Sequence, residues 1–343
     1  MVNAADGTER PPARVRAASV FDVAKAAGVS HQTVSRVLND HPSLRPATRQ
    51  KVLDAMHELN YRPNRAARAL VTSRSRIIGI LSTSSGEYGP ASSTAAVETA
   101  ARARGYSVSI ANADGLDQAS IDEALNHLVD LSAEGLVVVA PQRQVLQTLS
   151  QLSFTIPYVT LQTLSAVDGA ELALDQVEGA RVATAHLAGL GHRRIGHLAG
   201  AADWIDADSR QAGFAAELAA VGLEPGPVVA GDWSAPSGYR AGRELIGQGV
   251  TAVFSANDQM ALGLLHAAHD LGLVVPRDLS VVGFDDTPEA AHYLPPLTTV
   301  RQDFAESGRL ALARLLDDAD PGRSVRPQLV ARASTGAPRR SSP

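Results

Sequence analysis

Cysteine is absent from this chain of 343 residues. Its absence excludes disulfides, thiolate metal sites and thiol nucleophiles, and it is compatible with a reducing cytoplasm. Long apolar runs are also absent, since no stretch is long enough to span a bilayer and residues 1–18 lack the apolar core of a signal peptide. We therefore expect a cytoplasmic protein with no membrane partner, which begins with a disordered basic tail over residues 1–18.

Charge is distributed unevenly along the chain. Residues 1–76 contain 13 Lys and Arg against 6 Asp and Glu, a formal charge of +7. The remaining residues contain 18 against 30, a charge of −12, so the net charge of −5 hides a basic head on an acidic body. A polyanion such as DNA would be attracted to the head and repelled by the body.

Residues 19–39 have the pattern of a helix-turn-helix. One helical face carries Val20, Val23, Ala24 and Ala27, and Gly28 follows, where a helix ends and the chain can take a positive φ. Ser30 is placed to cap a second helix, whose inward residues are Val34, Val37 and Leu38. Its outward residues are His31, Gln32, Ser35 and Arg36. They lie in the half of a recognition helix that meets base edges.

The alternative is a solvated hairpin of two short amphipathic helices. We favour a DNA-binding helix-turn-helix. The solvent-exposed face of an ordinary helix more often carries Lys/Glu pairs than a His-Gln-Thr cluster beside one Arg. A third helix is predicted over Pro46–Leu59, with Val52, Met56 and Leu59 on its buried side. Leu44-Arg45-Pro46 offers that helix no Ser or Thr cap, which should weaken its start by about 1 kcal/mol.

From residue 77 onward, short apolar strands alternate with helices. The first block has predicted strands at 77–81, 106–111, 136–140 and 157–161, and helices near 93–104, 118–131 and 144–152. The second block has predicted helices at 177–190, 208–221, 237–246 and 258–271, and strands at 195–198, 228–229, 252–255 and 280–284. This alternation predicts parallel sheets covered by helices, in two similar lobes with a ligand cleft where strand ends converge.

Two other patterns suggest cofactor or metal chemistry that their context does not support. The glycines of residues 189–196 have the wrong spacing for a dinucleotide turn, and they follow a helix and precede a strand. His186, His192 and His197 lie on a helix end, a turn and a strand, which would point them differently. We expect surface and packing histidines, and neither a metal nor a cofactor.

A paired acid site is suggested by Asp285 and Asp286. A glycosidase needs two carboxyls that face each other across a bond, whereas adjacent strand residues point to opposite faces. The sequence therefore predicts no enzyme activity.

Several short segments of the sequence resemble signature motifs of the lactose-repressor family of bacterial transcription regulators. The resemblance covers about residues 19–338. These segments are Asp22-Val23-Ala24, Thr33-Val34-Ser35-Arg36-Val37-Leu38-Asn39, Leu190-Gly191-His192-Arg193-Arg194-Ile195, Asn257-Asp258-Gln259-Met260-Ala261, Ser280-Val281-Val282-Gly283-Phe284-Asp285-Asp286 and Pro296-Leu297-Thr298-Thr299-Val300. Gly231-Asp232-Trp233-Ser234-Ala235 and Gln302-Asp303-Phe304 favour a sugar-sensing branch. The resemblance implies an all-α helix-turn-helix head and an α/β two-lobed ligand domain like that of periplasmic binding proteins.

The resemblance implies DNA contacts in the head and in a hinge that follows it. The residues are His31, Gln32, Thr33, Ser35, Arg36, Asn39, Asn64, Ala67 and Leu70. His31, Gln32 and Arg36 match major-groove readers, and Leu70 matches a hinge leucine that wedges into the minor groove. Such wedging needs a dimer and kinkable DNA, so the expected partner is double-stranded operator DNA bound by a homodimer. On composition alone, the hinge could be a plain tether.

The resemblance also implies a sugar site in the cleft. Its residues are Pro90, Gln162, Asp206, Arg210, Trp233, Asn257, Asp285, Gln302 and Phe304. Sugar hydroxyls need paired donors and acceptors, and the C–H face of a sugar packs on an aromatic ring. Gln162 and Asp206 stand where the member that gives the family its name has aspartate and serine, so the identity of the sugar is open. Arg210 and Asp285 could instead form a structural ion pair.

These inferences divide the chain into five parts. They are the tail at 1–18, the helix-turn-helix domain at 19–61, the hinge at 62–75, the ligand-binding and dimerisation domain at 76–336, and a tail at 337–343. Within the fourth part, the N-lobe takes about 76–174 and 302–326, and the C-lobe about 175–301 and 327–336. The last tail has no leucine heptads, so we expect a dimer rather than a tetramer.

We expect a DNA-binding transcriptional repressor, released from its operator by a small galactoside-like or related sugar. A corepressor-dependent regulator of the same fold is an alternative. A sugar-binding protein or sugar-active enzyme with an appended head is another, and the basic head argues against it.

Overall fold

The computed structural model describes residues 18–38, 44–62, 74–83, 86–152, 156–161, 175–316 and 325–339. Among the predicted site residues, Asn39, Asn64, Ala67, Leu70 and Gln162 lie outside these ranges. The chain forms two compact units, Met1–Ser75 and Arg76–Pro343. Within the described ranges, no helix has both the length and the apolar character needed to cross a membrane.

The first unit contains the predicted helices α1 (Val20–Ala27), α2 (His31–Leu38) and α3 (Pro46–Glu58). Ser19 and Asp22 form a capping box, in which Asp22 accepts from the Ser19 N–H at 2.8 Å and Ser19 Oγ accepts from the Asp22 N–H at 3.3 Å. Gly28 ends α1 with φ of 66°, a backbone conformation that strains other residues. The three helices enclose a small core of Val23, Ala24, Val34, Val37, Val52 and Ala55.

The third helix differs from the prediction in one respect. Leu59 lies just past the last residue of α3, Glu58, and is 37% exposed, whereas Val52 and Ala55 are buried and Met56 is partly buried. Arg45 precedes α3 without a side-chain capping bond, and Pro46 occupies the first turn, as the sequence predicts.

The first lobe of the second unit is a four-stranded parallel sheet in the order β2-β1-β3-β4. Its strands are β1 (Ile77–Ser82), β2 (Ser107–Asn112), β3 (Gly135–Val139) and β4 (Tyr158–Thr160). The helices between them are α4 (Tyr88–Ala103), α5 (Gln118–Asp130) and α6 (Arg143–Gln151). Their apolar faces cover both sides of the sheet.

The second lobe has a six-stranded sheet in the order β10-β9-β8-β7-β5-β6. Its strands are β5 (Ile195–Ala199), β6 (Val228–Ala230), β7 (Ala252–Ser255), β8 (Ser280–Asp285), β9 (Thr298–Arg301) and β10 (Gln328–Val330). Its helices are α7 (Gln176–Gly189), α8 (Ile205–Ala220), α9 (Ala235–Gly247) and α10 (Asp258–Asp270), with a 3₁₀ turn at Pro288–His292. Only β10 within this sheet is antiparallel to its neighbour.

The chain passes between the lobes more than once. After β9 it forms α11 (Phe304–Leu315), whose Ala311, Leu312 and Leu315 pack in the core of the first lobe, and it then returns as β10. The strand and helix pattern inferred from the sequence stops at residue 284 and does not include β9, α11 or β10. Each lobe is therefore built from separate stretches of sequence.

Two helices begin earlier than predicted, and both starts face the cleft. Helix α4 begins at Tyr88 instead of residue 93, because Pro90 falls in the first turn, where a backbone N–H is not needed. Helix α8 begins at Ile205 instead of residue 208, and its first turn holds Asp206 and Asp208, which the helix dipole favours. Pro90 and Asp206 are thereby placed on helix N-termini.

Candidate functional site

The outer face of α2 carries polar side chains that none of the described elements of the first unit covers. His31, Gln32 and Arg36 are exposed, Thr33 and Ser35 are partly buried, and the inward residues of the helix pack in the core. Gln32 and Arg36 are four residues apart, so they lie on one face of the helix. Glutamine and arginine side chains can each contact a base edge with two hydrogen bonds in the major groove.

Two neighbouring features shape this surface. Ser30 Oγ accepts from the Thr33 N–H at 3.2 Å, so a side chain caps α2, as predicted. The ring of Phe21 lies exposed on α1, with its centroid 5.4 Å from that of His31. The sequence analysis did not select Phe21, although an exposed aromatic residue among buried ones is a signal that could have indicated it.

The second unit contains a cleft of about 310 Å³ between its lobes, including the part that is open to solvent. It is lined by Glu87, Tyr88, Gly89, Pro90, Trp204, Asp206, Arg210, Trp233, Asn257 and Asp285. The first lobe contributes the start of α4. The second lobe contributes the start of α8 and the carboxyl ends of its strands, where parallel sheets commonly bind ligands.

Arg210 is buried in the wall of the cleft and is held on several sides. Its Nε donates to Gln176 Oε1 at 2.9 Å, and its Nη1 donates to the Ala256 carbonyl. Its Nη2 lies 3.7 Å from Asp285 Oδ1, and both side chains are 5% exposed. The guanidinium also lies over the Phe284 ring, 4.0 Å from its centroid. The charge of Arg210 is therefore fixed in position and compensated within the protein.

Asp285 is the second fixed charge of the cleft. Gln302 Nε2 donates to its Oδ1 at 2.6 Å, and Gln302 Oε1 accepts from Gln176 Nε2 at 2.8 Å. Burial raises the pKa of Asp285 to about 6, against the opposing effects of Arg210 and the bond from Gln302. Asp286 bonds instead to Arg301 and Arg332, each at 2.6 Å, so the two adjacent carboxyls serve separate networks.

Trp233 and Asn257 form another part of the wall. Trp233 is 5% exposed, has φ of 72° and packs its ring 5.1 Å from that of Trp204. Its buried Nε1 has no hydrogen-bond partner among the described residues. Asn257 caps α10 by accepting from the Met260 N–H at 2.8 Å, and it donates to the Trp233 carbonyl at 3.0 Å. Asn257 thus positions the backbone of Trp233.

Two carboxylates of the cleft have no fixed partner. Glu87, at the start of α4, and Asp206, in the first turn of α8, make no hydrogen bond or ion pair with the described part of the chain. Burial raises the pKa of both carboxyls. The nearby Asp232 carboxylate raises the pKa of Glu87 further, whereas the Arg210 guanidinium lowers the pKa of Asp206. They are available to accept hydrogen bonds from a ligand.

The structure brings most of the predicted ligand residues together. Pro90, Asp206, Arg210, Trp233, Asn257 and Asp285 line the cleft. Gln302 lies behind Asp285, and the ring of Phe304 contacts the ring of Tyr88 at 6.0 Å in an edge-to-face arrangement.

Sequence reasoning missed Glu87, Tyr88, Trp204 and Gln176. Trp204 directly precedes α8, a position that Asp206 and Asp208 in the first turn of that helix could have indicated, whereas the first turn of α4 after Glu87 carries no acidic residue.

The lobes also touch through their backbones at one edge of the cleft. The Arg143 N–H donates to the Asp203 carbonyl at 3.0 Å, and the Ile205 N–H donates to the Pro141 carbonyl at 2.9 Å. Arg143 forms an ion pair with Asp208 beside these bonds. This contact joins the loop after β3 to the start of α8, so Trp204 lies between the lobes.

The three histidines have packing roles of different depth. His192 and His197 are fully buried, and His186 is partly buried and bonds to Thr335 Oγ1 at 2.9 Å. His192 bonds to Thr251, Ser280 and the Gly336 carbonyl at 2.9 to 3.0 Å, which fixes the C-terminal segment to the lobe. No cluster of three metal-ligating side chains occurs in the described ranges.

The chain combines a helix-turn-helix unit with a two-lobed, mainly parallel α/β unit that contains a polar cleft. This combination defines a DNA-binding regulator with a ligand domain. Profiles of two families match: bacterial regulatory proteins of the lacI family over residues 19–64, and the periplasmic binding protein-like domain over residues 184–340. The chain belongs to the lacI family of bacterial transcriptional regulators.

Individual relatives are similar over nearly the whole chain. The lactose operon repressor of Escherichia coli strain K12 is 36% identical over 328 residues, 93% of this chain and 91% of the relative. The ribose operon repressor of the same strain is 34% identical over 309 residues, 87% of this chain and 92% of the relative. A crystal structure of the lac repressor dimer bound to operator and the anti-inducer ONPF matches with a TM-score of 0.82 at 34% identity, covering 94% and 100% of the two chains. Each of these relatives is a repressor.

Proposed function

We propose that the protein is a homodimeric repressor that binds operator DNA and releases it when a small sugar occupies the cleft. The observation that carries this proposal is the cleft itself, in which a fixed Arg210–Asp285 pair, two indoles and two carboxylates without a hydrogen-bond partner in the described ranges face one space. Repressors of the lactose and ribose operons and an operator-bound lac repressor dimer support it. We place the protein in the cytoplasm, with its operator DNA, and assign it no enzyme activity.

The chemistry of the cleft suits a sugar. Hydroxyl groups need acceptors and donors, and the carboxylates of Glu87 and Asp206 and the unpaired indole N–H of Trp233 supply them. The C–H face of a pyranose packs on aromatic rings, which Trp204 and Trp233 provide. We therefore propose a galactoside-like or related sugar.

The proposed switch lies in the hinge, which includes Asn64, Ala67 and Leu70 and falls outside the described residues. We propose that two hinges fold into paired helices when DNA and the dimer hold them together. A sugar that closes the cleft would shift the lobe that carries the hinges and separate them. The resulting coupling would be about 1 to 3 kcal/mol.

Operator titration with and without saturating sugar tests the proposal. Sugars are first selected by thermal shift from a panel of mono- and disaccharides, because a ligand that binds only the native state raises the melting temperature. We expect the selected sugar to lower operator affinity. Tighter operator binding would establish the corepressor alternative, and unchanged affinity with every binding sugar would favour a sugar-binding protein in which the head is an appendage.

The same titrations show how the head recognises DNA. If Arg36 contacts a base, Arg36→Ala lowers the ratio of operator to random-sequence affinity by about 1 to 3 kcal/mol. Lys51 lies exposed on α3, so Lys51→Ala is the matched control. It should weaken both DNAs equally and reduce the salt slope by about one unit. Equal weakening by Arg36→Ala would place Arg36 on the phosphate backbone.

Leu70→Ala tests the hinge separately. The substitution should weaken operator binding and leave sugar binding unchanged, because it removes only the proposed minor-groove wedge. Operator titrations that match those of the wild-type protein would identify the hinge as a tether.

A further inference from the structure

Resting on the sugar response proposed above, we propose that the effector is an amino sugar, with its protonated amine held between Glu87 of the first lobe and Asp206 of the second. The charges and aromatic groups that line the cleft favour a positively charged ligand.

The cleft has more negative than positive charge. Arg210 is the cation among the lining residues, and it is paired with Asp285 and bonded to Gln176 and Ala256. Glu87 and Asp206 remain, and neither makes a hydrogen bond or ion pair with the described residues, whereas Arg210 and the dipole of α8 favour the charged form of Asp206. A neutral ligand that excluded water from this space would leave Glu87 without a compensating charge and Asp206 only partly compensated, which is costly. A ligand cation would compensate them.

The aromatic side chains give independent support. Indole rings attract cations through their π faces, and Arg210 already lies 5.5 Å from the Trp233 centroid. Trp204 lines the same cleft and is only partly buried, so its ring can accept a second cation. The Nε1 of Trp233 is buried without a partner in the described chain and would donate to a sugar hydroxyl. An ammonium group and a hydroxyl on one small molecule satisfy both requirements.

The pKa values of the Glu87 and Asp206 carboxyls also favour a cationic ligand. Burial raises the pKa of Glu87 and of Asp206, because the ionised forms lose solvent in the cleft. An ammonium group between them would lower both pKa values again, whereas a neutral sugar would not. A sugar phosphate or a uronic acid would meet two like charges and be repelled.

The first test measures the charge of the cleft without a sugar. The chain has two tryptophans, and both line the cleft, so tryptophan fluorescence of the full-length protein reports on this space. We compare quenching by caesium and by iodide, each normalised to neutral acrylamide. Caesium should quench more strongly than iodide, and the double variant Glu87→Gln/Asp206→Asn should abolish the difference. Glu98→Gln, on the exposed side of α4, is the control and should leave the difference unchanged. Equal quenching of the wild-type protein by the two ions would overturn the inference.

The second test compares matched sugars on the full-length protein by calorimetry. The probes are galactosamine, galactose and galacturonate, and the corresponding series built on glucose. The amino sugar should bind about tenfold more tightly than its neutral partner, and the uronate should not bind. Asp206→Asn should remove the preference for the amine while neutral sugar still binds.

The outcomes separate this inference from the proposed function. If a neutral sugar binds as tightly as its amine and releases the operator, the sugar response stands and the amine assignment is wrong. The same holds if a uronate binds as tightly as its neutral partner. If no probe binds in any form, the sugar response and the amine assignment are both overturned, whatever the quenching shows.

Discussion

The two lobes have similar architecture but differ in what they bury. The buried polar side chains described in the first lobe, including α11, are the uncharged Ser82, Ser93, Gln142 and Ser307. The second lobe buries ionisable groups, namely His192, His197, Arg210, Asp258 and Asp285. These groups are held by hydrogen bonds to neighbouring strands and helices.

This difference indicates how the cleft is built. The second lobe is a preformed wall whose charges are fixed before a ligand arrives. The first lobe presents the start of α4, with Glu87 as its free charge, and has an aliphatic core behind it. On the proposed function, the second lobe would set the orientation of the ligand and the first lobe would complete the site.

Removing the central cation of the second lobe should have the largest effect. Arg210→Ala leaves the buried Asp285 carboxyl without its partner, and breaking a buried pair costs about 3 to 5 kcal/mol of folding free energy. The pKa of Asp285 is already raised from 3.8 to about 6, and the variant raises it further. The folded variant then retains a proton that the unfolded chain releases above about pH 4, so its stability falls as pH rises. Urea unfolding across this range measures the loss.

The control for this prediction is the double variant Arg210→Ala/Asp285→Asn. It should recover part of the stability, because the unpaired charge is gone. A double variant as unstable as Arg210→Ala would show that packing around Arg210, and not the charge of Asp285, causes the loss.

The buried histidine of β5 should make the second lobe sensitive to acid. Burial lowers the pKa of His197 from 6.5 to about 4, and the Phe254 carbonyl accepts from its Nδ1 at 3.0 Å. The unfolded chain binds a proton first, so this contribution is complete above pH 6.5 and is lost as pH falls towards 4. The loss should reach about 3 kcal/mol.

His197→Phe should remove this acid dependence, because a phenyl ring keeps the stacking on Phe254 and cannot be protonated. Denaturant unfolding from about pH 7 to about pH 4 measures it. Ile80→Val in the first lobe is the comparison, with a cost of about 1 kcal/mol that is the same at each pH. An unchanged acid slope in His197→Phe would assign the dependence to other groups.

A smaller effect is expected where a glycine makes room for the cleft wall. In Gly200→Ala, the added Cβ would lie 2.0 Å from the Trp233 ring, so the indole must move. We expect a loss of about 1 to 3 kcal/mol and a changed tryptophan emission. Gly247→Ala on α9 has no atom within 4 Å of its added Cβ and should leave both properties near those of the wild type. Identical emission from Gly200→Ala would contradict the close packing of Trp233.

The smallest effect should come from an exposed pair of the first lobe. Arg102 and Glu98 form an ion pair on α4 with side chains that are 71% and 47% exposed. Arg102→Ala should change the folding free energy by less than about 0.5 kcal/mol, because water already solvates both charges. A loss comparable to that of Arg210→Ala in the same unfolding assay would break the contrast between the lobes.

Local sequence patterns predict much of the fold but less of the cleft. Strand and helix alternation up to residue 284 follows from hydrophobic periodicity, and the cap and turn around Gly28 follow from local backbone chemistry. The stretch around Gly89 and Pro90 has the composition of a loop, yet tertiary packing makes it the first turn of α4. Glu87 and Tyr88 therefore could not be identified as cleft residues from pattern alone.

The network behind the cleft depends on contacts between distant residues. Gln176 and Gln302 are 126 positions apart, and they meet because α7 and the end of β9 approach in the folded lobe. No local signal connects two glutamines at that separation. The roles of Asn257 and Gln302 as supports for Trp233 and Asp285 likewise follow from tertiary structure. All of the predicted DNA contacts stay predictions, namely those of His31, Gln32, Thr33, Ser35, Arg36, Asn39, Asn64, Ala67 and Leu70.

The position of α11 has a consequence for how the protein is made. The first lobe needs Ala311, Leu312 and Leu315 to close its core, but these residues follow the strands β5 to β9 of the second lobe in the sequence. A ribosome adds about 5 to 20 residues per second, so β1 to β4 wait on the order of 10 s or more for the helix that covers them. During that time an apolar face of the nascent chain remains open to chaperones. A chain terminated before residue 304 would leave the lobe made first without the helix that completes its core.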